Sequence, residues 1–254
     1  MNTIDKDLYP SIFAQTPSPS VSQKYQFIKT SDVLETLHDL GWVTRQMGEV
    51  KARKPHTKGF QKHLIRLTNP ESKLVEVGDE IPELVLTNSH NGKNSFSFRI
   101  GIYRLVCSNG LVIPTEEFTN ITIKHVGNMA AQIREVVEKM SSSFGLIYSD
   151  VRRMKKRELS PLEISRFAAE SSKIRNLNSQ ESLSSNLENI LAVQRPEDEG
   201  NDLWRVYNRI QENLMEGNFE ILTKRGRRKG SSIRSIDKGI KINEDLWNLA
   251  KSYL

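Results

Sequence analysis

The chain has 254 residues, 37% of them hydrophobic, which is enough to bury a core and excludes a disordered protein. Its 37 lysines and arginines outnumber its 31 aspartates and glutamates, so the formal charge of +6 favours polyanionic partners and argues against an acidic DNA mimic. A single cysteine excludes an internal disulfide, and no run approaches the roughly 18 apolar residues of a membrane span, so we expect a cytoplasmic protein.

The first residues predict an extended arm. Pro10, Pro17 and Pro19 stand among serines, and proline cannot donate the amide hydrogen bond that a regular helix needs. We therefore assign residues 1–24 to an N-terminal arm without helix or strand.

A short helix is predicted after the arm. Asp32 can cap the first turn, and Glu35 stands three residues on, where its side chain can complete a capping box. Gly41 ends the apolar stripe of this helix. The stripe consists of Val33, Leu34, Leu37 and Leu40.

Between Trp42 and Val126 the pattern changes to short runs with a period of two, which predicts an antiparallel sheet. A further strand begins at Leu111, and Asn91-Gly92 favours a tight hairpin because both residues tolerate positive φ. The other candidate strands span residues 42–52, 60–68, 84–88, 95–106 and about 121–125.

Helical spacing begins at Gly127 and dominates the rest of the chain. One helix is predicted to begin at the capping box Ser160-Pro161-Leu162-Glu163. The other predicted helices span residues 127 to about 140, 148–158, part of 176–200, 203–216 and about 243–253. We therefore predict an α+β fold in which an antiparallel meander sheet is followed by a long helix. Residues 25–145 would form this core domain, and residues 146–254 a helical C-terminal region with a basic segment at 224–238.

One cluster of positive charge lies around the turn that joins the first two candidate strands. Side chains on such a hairpin can follow a phosphate backbone, although lysine also keeps exposed sheet edges soluble. No acidic residue lies between Glu49 and Glu71, which favours binding. The cluster consists of Lys51, Arg53, Lys54, Lys58, Lys62, His63 and Arg66.

A second cluster occupies the basic segment. Glycines between its charges keep the backbone pliable, which predicts a segment that orders on contact with a nucleic acid, the alternative being a solvated loop. A third cluster, from Arg152 to Arg157, fits within about two helical turns, and there a solvated helix surface is the favoured interpretation. The second cluster consists of Lys224, Arg225, Arg227, Arg228 and Lys229, with Arg234 and Lys238 close behind.

No catalytic site and no cofactor are predicted. The five histidines lack a metal-binding spacing, and residues 88–91 (NSHN) are explained by a turn better than by a nucleophile beside a base. Cys107 fits a buried thiol. The carboxylates that keep a metal-dependent nuclease open as an alternative are Asp79, Glu80 and Glu83.

The aromatic residues divide into core and stacking candidates. Trp42, Trp204 and Trp247 fall in apolar patterns and are assigned to the core. Phe98 and Tyr103, nearer the first basic cluster, are candidates for stacking against bases.

Four segments resemble a family of phage, prophage and plasmid proteins grouped as domain of unknown function 932. They are IPELVLTNSHNG (81–92), YRLVCSNGLV (103–112), DLWRVYNRIQENL (202–214) and the tail at 236–247. The resemblance runs from about residue 25 to the end of the chain. It implies carriage on a mobile genetic element but brings no established activity and no catalytic residues.

The order of strands followed by a helix also resembles the core of Rad52-type single-strand annealing proteins, in which rings of subunits present a basic groove to DNA. This resemblance implies that the backbone of the DNA is bound by Lys51, Arg53, Lys54, Lys58 and Lys62. It adds Arg99 and Arg104 as further contacts.

We therefore expect a non-enzymatic nucleic-acid-binding protein that acts on single-stranded DNA in recombination or strand annealing. We expect a homo-oligomer, in the form of a ring or filament, with no membrane partner. One alternative is an interaction protein that inhibits a host defence system by binding a host protein. The other is the metal-dependent nuclease.

Overall fold

The computed structural model describes residues 7–52, 54–70, 80–104, 111–113, 129–175, 177, 187–223 and 226–254. The chain divides between Gly145 and Leu146 into two compact units. No helix within the described residues combines the length and the apolarity that a membrane span requires.

The first unit contains a five-stranded antiparallel sheet in which each strand pairs with its neighbour along the chain. The predicted α+β class and the meander are therefore confirmed. The hairpin expected at Asn91-Gly92 joins β3 to β4, with Gly92 at a φ of 71°, but its loop extends over residues 89–96. The strands are β1 (Val43–Glu49), β2 (His63–Thr68), β3 (Glu80–Asn88), β4 (Ser97–Arg104) and β5 (Leu111–Ile113).

Alternate residues of the sheet form an apolar core. Phe98 of β4 pairs with Leu86 of β3, Ile100 pairs with Leu84, and all four side chains are fully buried. Burial of each such side chain stabilises the fold by about 1.5–3 kcal/mol. Helices α1 (Thr30–Asp39) and α2 (Met129–Lys156) add buried residues to the first unit, among them Leu34, Leu37, Ile133 and Phe144.

The N-terminal arm packs onto the first unit instead of projecting from it. Ile12 is fully buried, and the amide of Ser18 donates to the carbonyl of His90 at 2.8 Å. Directly after the arm, the Tyr25 hydroxyl donates to the carbonyl of Ser89, also at 2.8 Å. The described part of the arm therefore covers the loop between β3 and β4.

The second unit is built around a buried helix. Its elements after the end of α2 are α3 (Pro161–Ile174), α4 (Leu203–Glu216), the hairpin β6 (Glu220–Thr223) with β7 (Gly226–Lys229), and α5 (Ile236–Lys251). Ten of the 14 residues of α4 are buried. Helix α4 runs antiparallel to α5, because Trp204 lies 6.4 Å from Trp247 while Gln211 donates to Asn243.

Local signals explain the ends of α3 and α4. Ser160 accepts from the amide of Glu163, whose carboxylate accepts in return from the amide of Ser160, so the predicted capping box is confirmed. Asp202 caps α4 by accepting from the amide of Arg205 at 3.0 Å. Gly217 ends α4 in the left-handed conformation, at a φ of 78°.

Other boundaries differ from the predicted ones. Helix α1 begins at Thr30 without a side-chain cap, so the capping box at Asp32 and Glu35 was wrong. Helix α2 continues as one helix where two were predicted, because buried residues from Phe144 to Met154 keep its apolar face unbroken. Helix α5 begins at Ile236, seven residues earlier than predicted. The predicted strand at 121–125 lies outside the described residues, as do residues 176 and 178–186 of the predicted helix within 176–200. The described part of that range is α-helical only at 187–191.

Candidate nucleic-acid interface

The described members of the second basic cluster lie on a β-hairpin and not on a pliable loop. Arg227, Arg228 and Lys229 form β7 with Gly226, and all three cations are exposed. Neighbouring side chains of a strand point to opposite faces, so both faces of the hairpin carry positive charge. The Glu220 carboxylate lies 3.4 Å from the Arg227 guanidinium. Lys224 and Arg225 lie outside the described residues, and Arg234 and Lys238 are exposed beyond the hairpin.

The base of this hairpin is tightly held. A Cβ added at Gly217 would lie 2.6 Å from the backbone of Ser231, so only glycine fits there. The guanidinium of Arg175 donates to the carbonyls of Leu214, at 3.0 Å, and Ser231, at 2.7 Å. It also stacks over Phe219, 5.2 Å from the ring centroid. The base of the hairpin is therefore held by contacts within the second unit.

The first basic cluster lies mainly on the connection between β1 and β2, residues 50–62, which we call the basic loop. Lys51, Lys54 and Lys58 are exposed, whereas Lys62 is half-buried and donates to Asn94 at 3.5 Å. Arg53 lies outside the described residues.

Gln61 holds the end of the basic loop. Its side-chain oxygen accepts from the amides of Gly59 and Phe60 at 2.8 and 3.1 Å. Its amide nitrogen donates to Glu49 at 2.7 Å. The other carboxylate oxygen of Glu49 accepts from the amide and the hydroxyl of Ser11, at 3.1 and 2.6 Å. Sequence reasoning missed Phe60, which is half-buried between Lys58 and Lys62; an aromatic residue within a basic run was the available signal.

Arg66 does not belong to the exposed basic surface. Its side chain is only 12% exposed and pairs at 2.5 Å with Glu83, which is fully buried on the next strand. Burial raises the pKa of Glu83, and the Arg66 charge opposes this rise. A cation engaged in this way cannot reach a phosphate backbone, so Arg66 departs from its predicted role.

Arg99 is half-buried on the same face of the sheet as Arg66. Both residues flank Val85, since Arg66 pairs with Val85 across β2 and β3 and Arg99 pairs with Val85 across β3 and β4. The Arg99 guanidinium donates to the Ser97 hydroxyl at 2.8 Å. Arg104 is the last residue of β4, and its side chain lies outside the described residues.

A buried polar cluster occupies the end of the sheet from which the basic loop leaves. The Thr30 hydroxyl lies 2.9 Å from His63 Nε2 and 3.4 Å from His90 Nε2, and Asn88 donates to it at 3.0 Å. The carbonyl of Gln61, 3.2 Å from His63 Nδ1, can only accept, so Nδ1 carries the proton and Thr30 donates to Nε2. His63 thus lies in the interior, away from the basic surface predicted for it.

Both histidines of this cluster are held neutral. Burial lowers the pKa of His63 to about 3, with the nearby His90 acting in the same direction and the Gln61 backbone opposing. Burial lowers the pKa of His90 to about 4, opposed by the backbone of Ser11. His90 Nδ1 is buried without a hydrogen bond of normal geometry. Neutral, fully buried rings of this kind serve the structure of the sheet end.

The candidates for catalysis are dispersed. Among the described residues no group of three or more His, Cys, Asp or Glu is placed to hold a metal ion. The Ser89 hydroxyl donates to the carbonyl of Asn94 and accepts from its amide, both at 3.2 Å, as expected for a residue that shapes a loop. Glu83 is occupied by Arg66, while Asp79, Cys107 and the side chain of Glu80 lie outside the described residues.

The predictions for the tryptophans are confirmed, whereas one of the two stacking candidates is contradicted. Trp42, Trp204 and Trp247 are at most 4% exposed, which confirms their assignment to the core. Phe98 is fully buried and cannot stack on a base, so that prediction was wrong. The side chain of Tyr103 lies outside the described residues.

These features describe an α+β protein with a meander sheet and two exposed basic segments. The chain belongs to the family described as Domain of unknown function (DUF932), whose profile matches residues 18–247. It is 30% identical over 246 residues to UPF0380 protein YafZ of Escherichia coli (strain K12) and 31% identical over 246 residues to UPF0380 protein YfjQ of the same strain. Each alignment covers 96% of this chain and 88% of the relative. No solved structure matches the chain significantly.

Proposed function

We propose that this protein binds nucleic acid without catalysing a reaction, and that it acts on single-stranded DNA in recombination or strand annealing on a mobile genetic element. The observation that carries the proposal is the β6–β7 hairpin, where three consecutive cations are exposed on a tethered element. Adjacent like charges repel one another, and a phosphate backbone relieves this repulsion while releasing its own condensed counterions.

The exposed cations favour recognition of the backbone over recognition of base sequence. In helix-turn-helix proteins an exposed helix enters the major groove. Helix α4, which precedes the hairpin here, is buried along most of its length and cannot do so. Contacts through Arg and Lys to phosphates carry no direct sequence information, so binding should be steeply salt-dependent and tolerant of sequence.

Phe60 favours the proposal that the protein binds single-stranded nucleic acid in preference to duplexes. The half-buried Phe60 stands in the basic loop, and its carbonyl accepts from the amide of His90 at 3.0 Å, which fixes its backbone. An unpaired base can stack on such a ring, whereas the bases of a duplex are already stacked on one another. The combination of exposed lysines and an aromatic ring is typical of surfaces that follow a single strand.

The experiment is a salt titration of binding to labelled single-stranded and duplex DNA, with annealing of complementary strands followed in the same samples. We expect the variant R227Q/R228Q/K229Q to bind more weakly and to lower the slope of log K against log salt by about 2, since each cation that neutralises a single-strand phosphate contributes about 0.7 to the slope. The matched control R134Q/K139Q/R166Q removes three exposed cations from helices and should retain the slope. Absence of binding by the unmodified protein at low salt would contradict the proposal and favour a protein-directed inhibitor.

A further inference from the structure

The last turns of α2 carry four exposed cations that the hairpin site does not use. Val151 and Met154 are fully buried, so they fix this part of the helix in the second unit and leave the opposite surface in solvent. We call the four exposed residues Arg152, Arg153, Lys155 and Lys156 the α2 cluster.

Two of the three carboxylates beside the α2 cluster are engaged, and one of these, Asp150, pairs with Arg153 of the cluster itself. Asp150 lies 3.4 Å from Arg153 and 3.0 Å from Lys251, and Glu163 is paired with Arg157 while it also completes the cap of α3. Segment 150–163 contains five cations and three carboxylates, so positive charge remains in excess. The helix dipole favours the three cations of the last turn, Arg153, Lys155 and Lys156, and leaves only Arg152 without this account.

Two contacts place the α2 cluster and the hairpin at opposite ends of α4. At the N-terminal end, the amide of Leu203 donates to the carbonyl of Arg157 at 2.8 Å. At the C-terminal end, Gly217 packs against Ser231, just beyond the hairpin. Helix α4 has 14 residues. At 1.5 Å for each residue, the two basic surfaces are separated by about 20 Å.

Helix α5 independently supports the same separation. It starts at Ile236, soon after the hairpin, and ends at Lys251, which contacts Asp150 beside the α2 cluster. Its exposed residues between these ends are mixed in sign, since Asp237 stands beside Lys238, and Asp245 pairs with Lys241 at 2.8 Å. Positive charge therefore does not run continuously along α5. A separation of about 20 Å also exceeds the screening length of about 8 Å at physiological salt, so each surface attracts polyanions independently.

We propose that the α2 cluster binds a second nucleic-acid strand, so that a single helical unit holds two strands at once. This inference rests on the proposed function and deepens it, because annealing requires two strands to be brought together. Simultaneous engagement of two sites on one protein raises the effective concentration of one strand around the other.

The test is a bridging assay with the full chain. Immobilised oligothymidylate captures the protein, and a second, labelled oligothymidylate reports bridging, because the two strands cannot pair with each other. The α2-cluster variant is R152Q/R153Q/K155Q/K156Q. The matched control R134Q/K139Q/R166Q/K173Q removes four exposed helical cations elsewhere. Thermal unfolding of each variant confirms that it is folded.

We expect the α2-cluster variant to be captured by the immobilised strand within about twofold of the control and to bridge at least about tenfold less. Unchanged bridging would overturn the inference, as would a loss of capture equal to the loss of bridging, which would indicate one continuous site. If the unmodified protein is not captured at low salt, the proposed function itself fails. Capture of one strand without bridging of two is a different result, and it contradicts only the present inference.

Discussion

Phe60 is an aromatic residue within the most basic stretch of the first unit. Its backbone is held on both sides, because its amide donates to the side chain of Gln61 and its carbonyl accepts from His90. A ring on a fixed backbone loses little conformational entropy when a base stacks on it. A substitution of Phe60 therefore tests the contribution of stacking to binding without changing the charge of the protein.

We predict that F60A weakens binding to single-stranded DNA by about tenfold, the equivalent of about 1.4 kcal/mol and within the range for loss of one stacked base. The salt slope should stay unchanged, because no charge is removed. A fluorescence titration at several salt concentrations measures both quantities. The control F60Y retains the ring and should restore affinity; equal weakening by F60A and F60Y would exclude stacking.

Arg66 neutralises a carboxylate that has no contact with water. Removing the cation leaves Glu83 buried and unpaired, which typically costs about 3–5 kcal/mol. We predict that R66M lowers the free energy of unfolding by roughly this amount, measured by urea denaturation at neutral pH. The double variant R66M/E83M should recover much of the loss, because both charges are then absent. A loss below about 1 kcal/mol in R66M would indicate that water reaches Glu83.

At the scale of elements, the base of the β6–β7 hairpin depends on two close backbone approaches. Gly217 has a φ of 78°, and a Cβ there would lie 2.6 Å from Ser231, while a Cβ at Gly230 would lie 2.7 Å from the carbonyl oxygen of Gly217. We predict that G217A lowers the free energy of unfolding by about 2 kcal/mol or more, from backbone strain and the clash together. The control G48A adds a methyl group in open space and should cost less than about 1 kcal/mol. Similar values for G217A and G48A in urea denaturation would contradict this account of the hairpin base.

At the scale of the whole molecule, the two buried histidines couple the fold to pH. Their folded-state pKa values, about 3 for His63 and about 4 for His90, lie below the ordinary value of 6.5. The unfolded chain therefore binds more protons once the pH falls below about 6.5. The stability that the neutral rings provide is fully present above that pH and is lost progressively as the pH falls towards 4 and then 3.

We predict that the free energy of unfolding falls between pH 6 and pH 4.5 with a slope approaching about 2.7 kcal/mol per pH unit from these two groups. Urea denaturation across this range measures the slope. The double variant H63Q/H90Q removes both rings and should remove their contribution to the slope. A ring of His63 or His90 that titrates near pH 6.5 in an NMR experiment would contradict the prediction.

How far the sequence predicted the structure depended on the range of the interactions involved. Helix α4 was predicted at its observed bounds, Leu203 to Glu216, because its amphipathic spacing and the glycine that ends it are local features of the sequence. The environment of Arg66 could not be predicted, because Glu83 lies on another strand, 17 residues along the chain. The predicted start of α1 was wrong for a similar reason, because Thr30 forms hydrogen bonds with residues of β2 and β3.

The candidate site was likewise predicted where its features are local and missed where they depend on distant residues. The positions of the basic clusters were visible as runs of charge, but their environments were not. A strand of three cations and a glycine has no apolar alternation, so β7 could be recognised only through its pairing with β6. Phe60 was hidden for the opposite reason, because an aromatic residue in a strand-like run suggests a core position.

Glu49 links two segments that are far apart in the chain. One carboxylate oxygen accepts from Ser11 in the arm, and the other accepts from Gln61 at the end of the basic loop. Substitutions at Ser11 and Gln61 should therefore be epistatic, because each changes the ligand that orients the shared carboxylate for the other. A sequence change in the arm can thus alter which changes the basic loop tolerates.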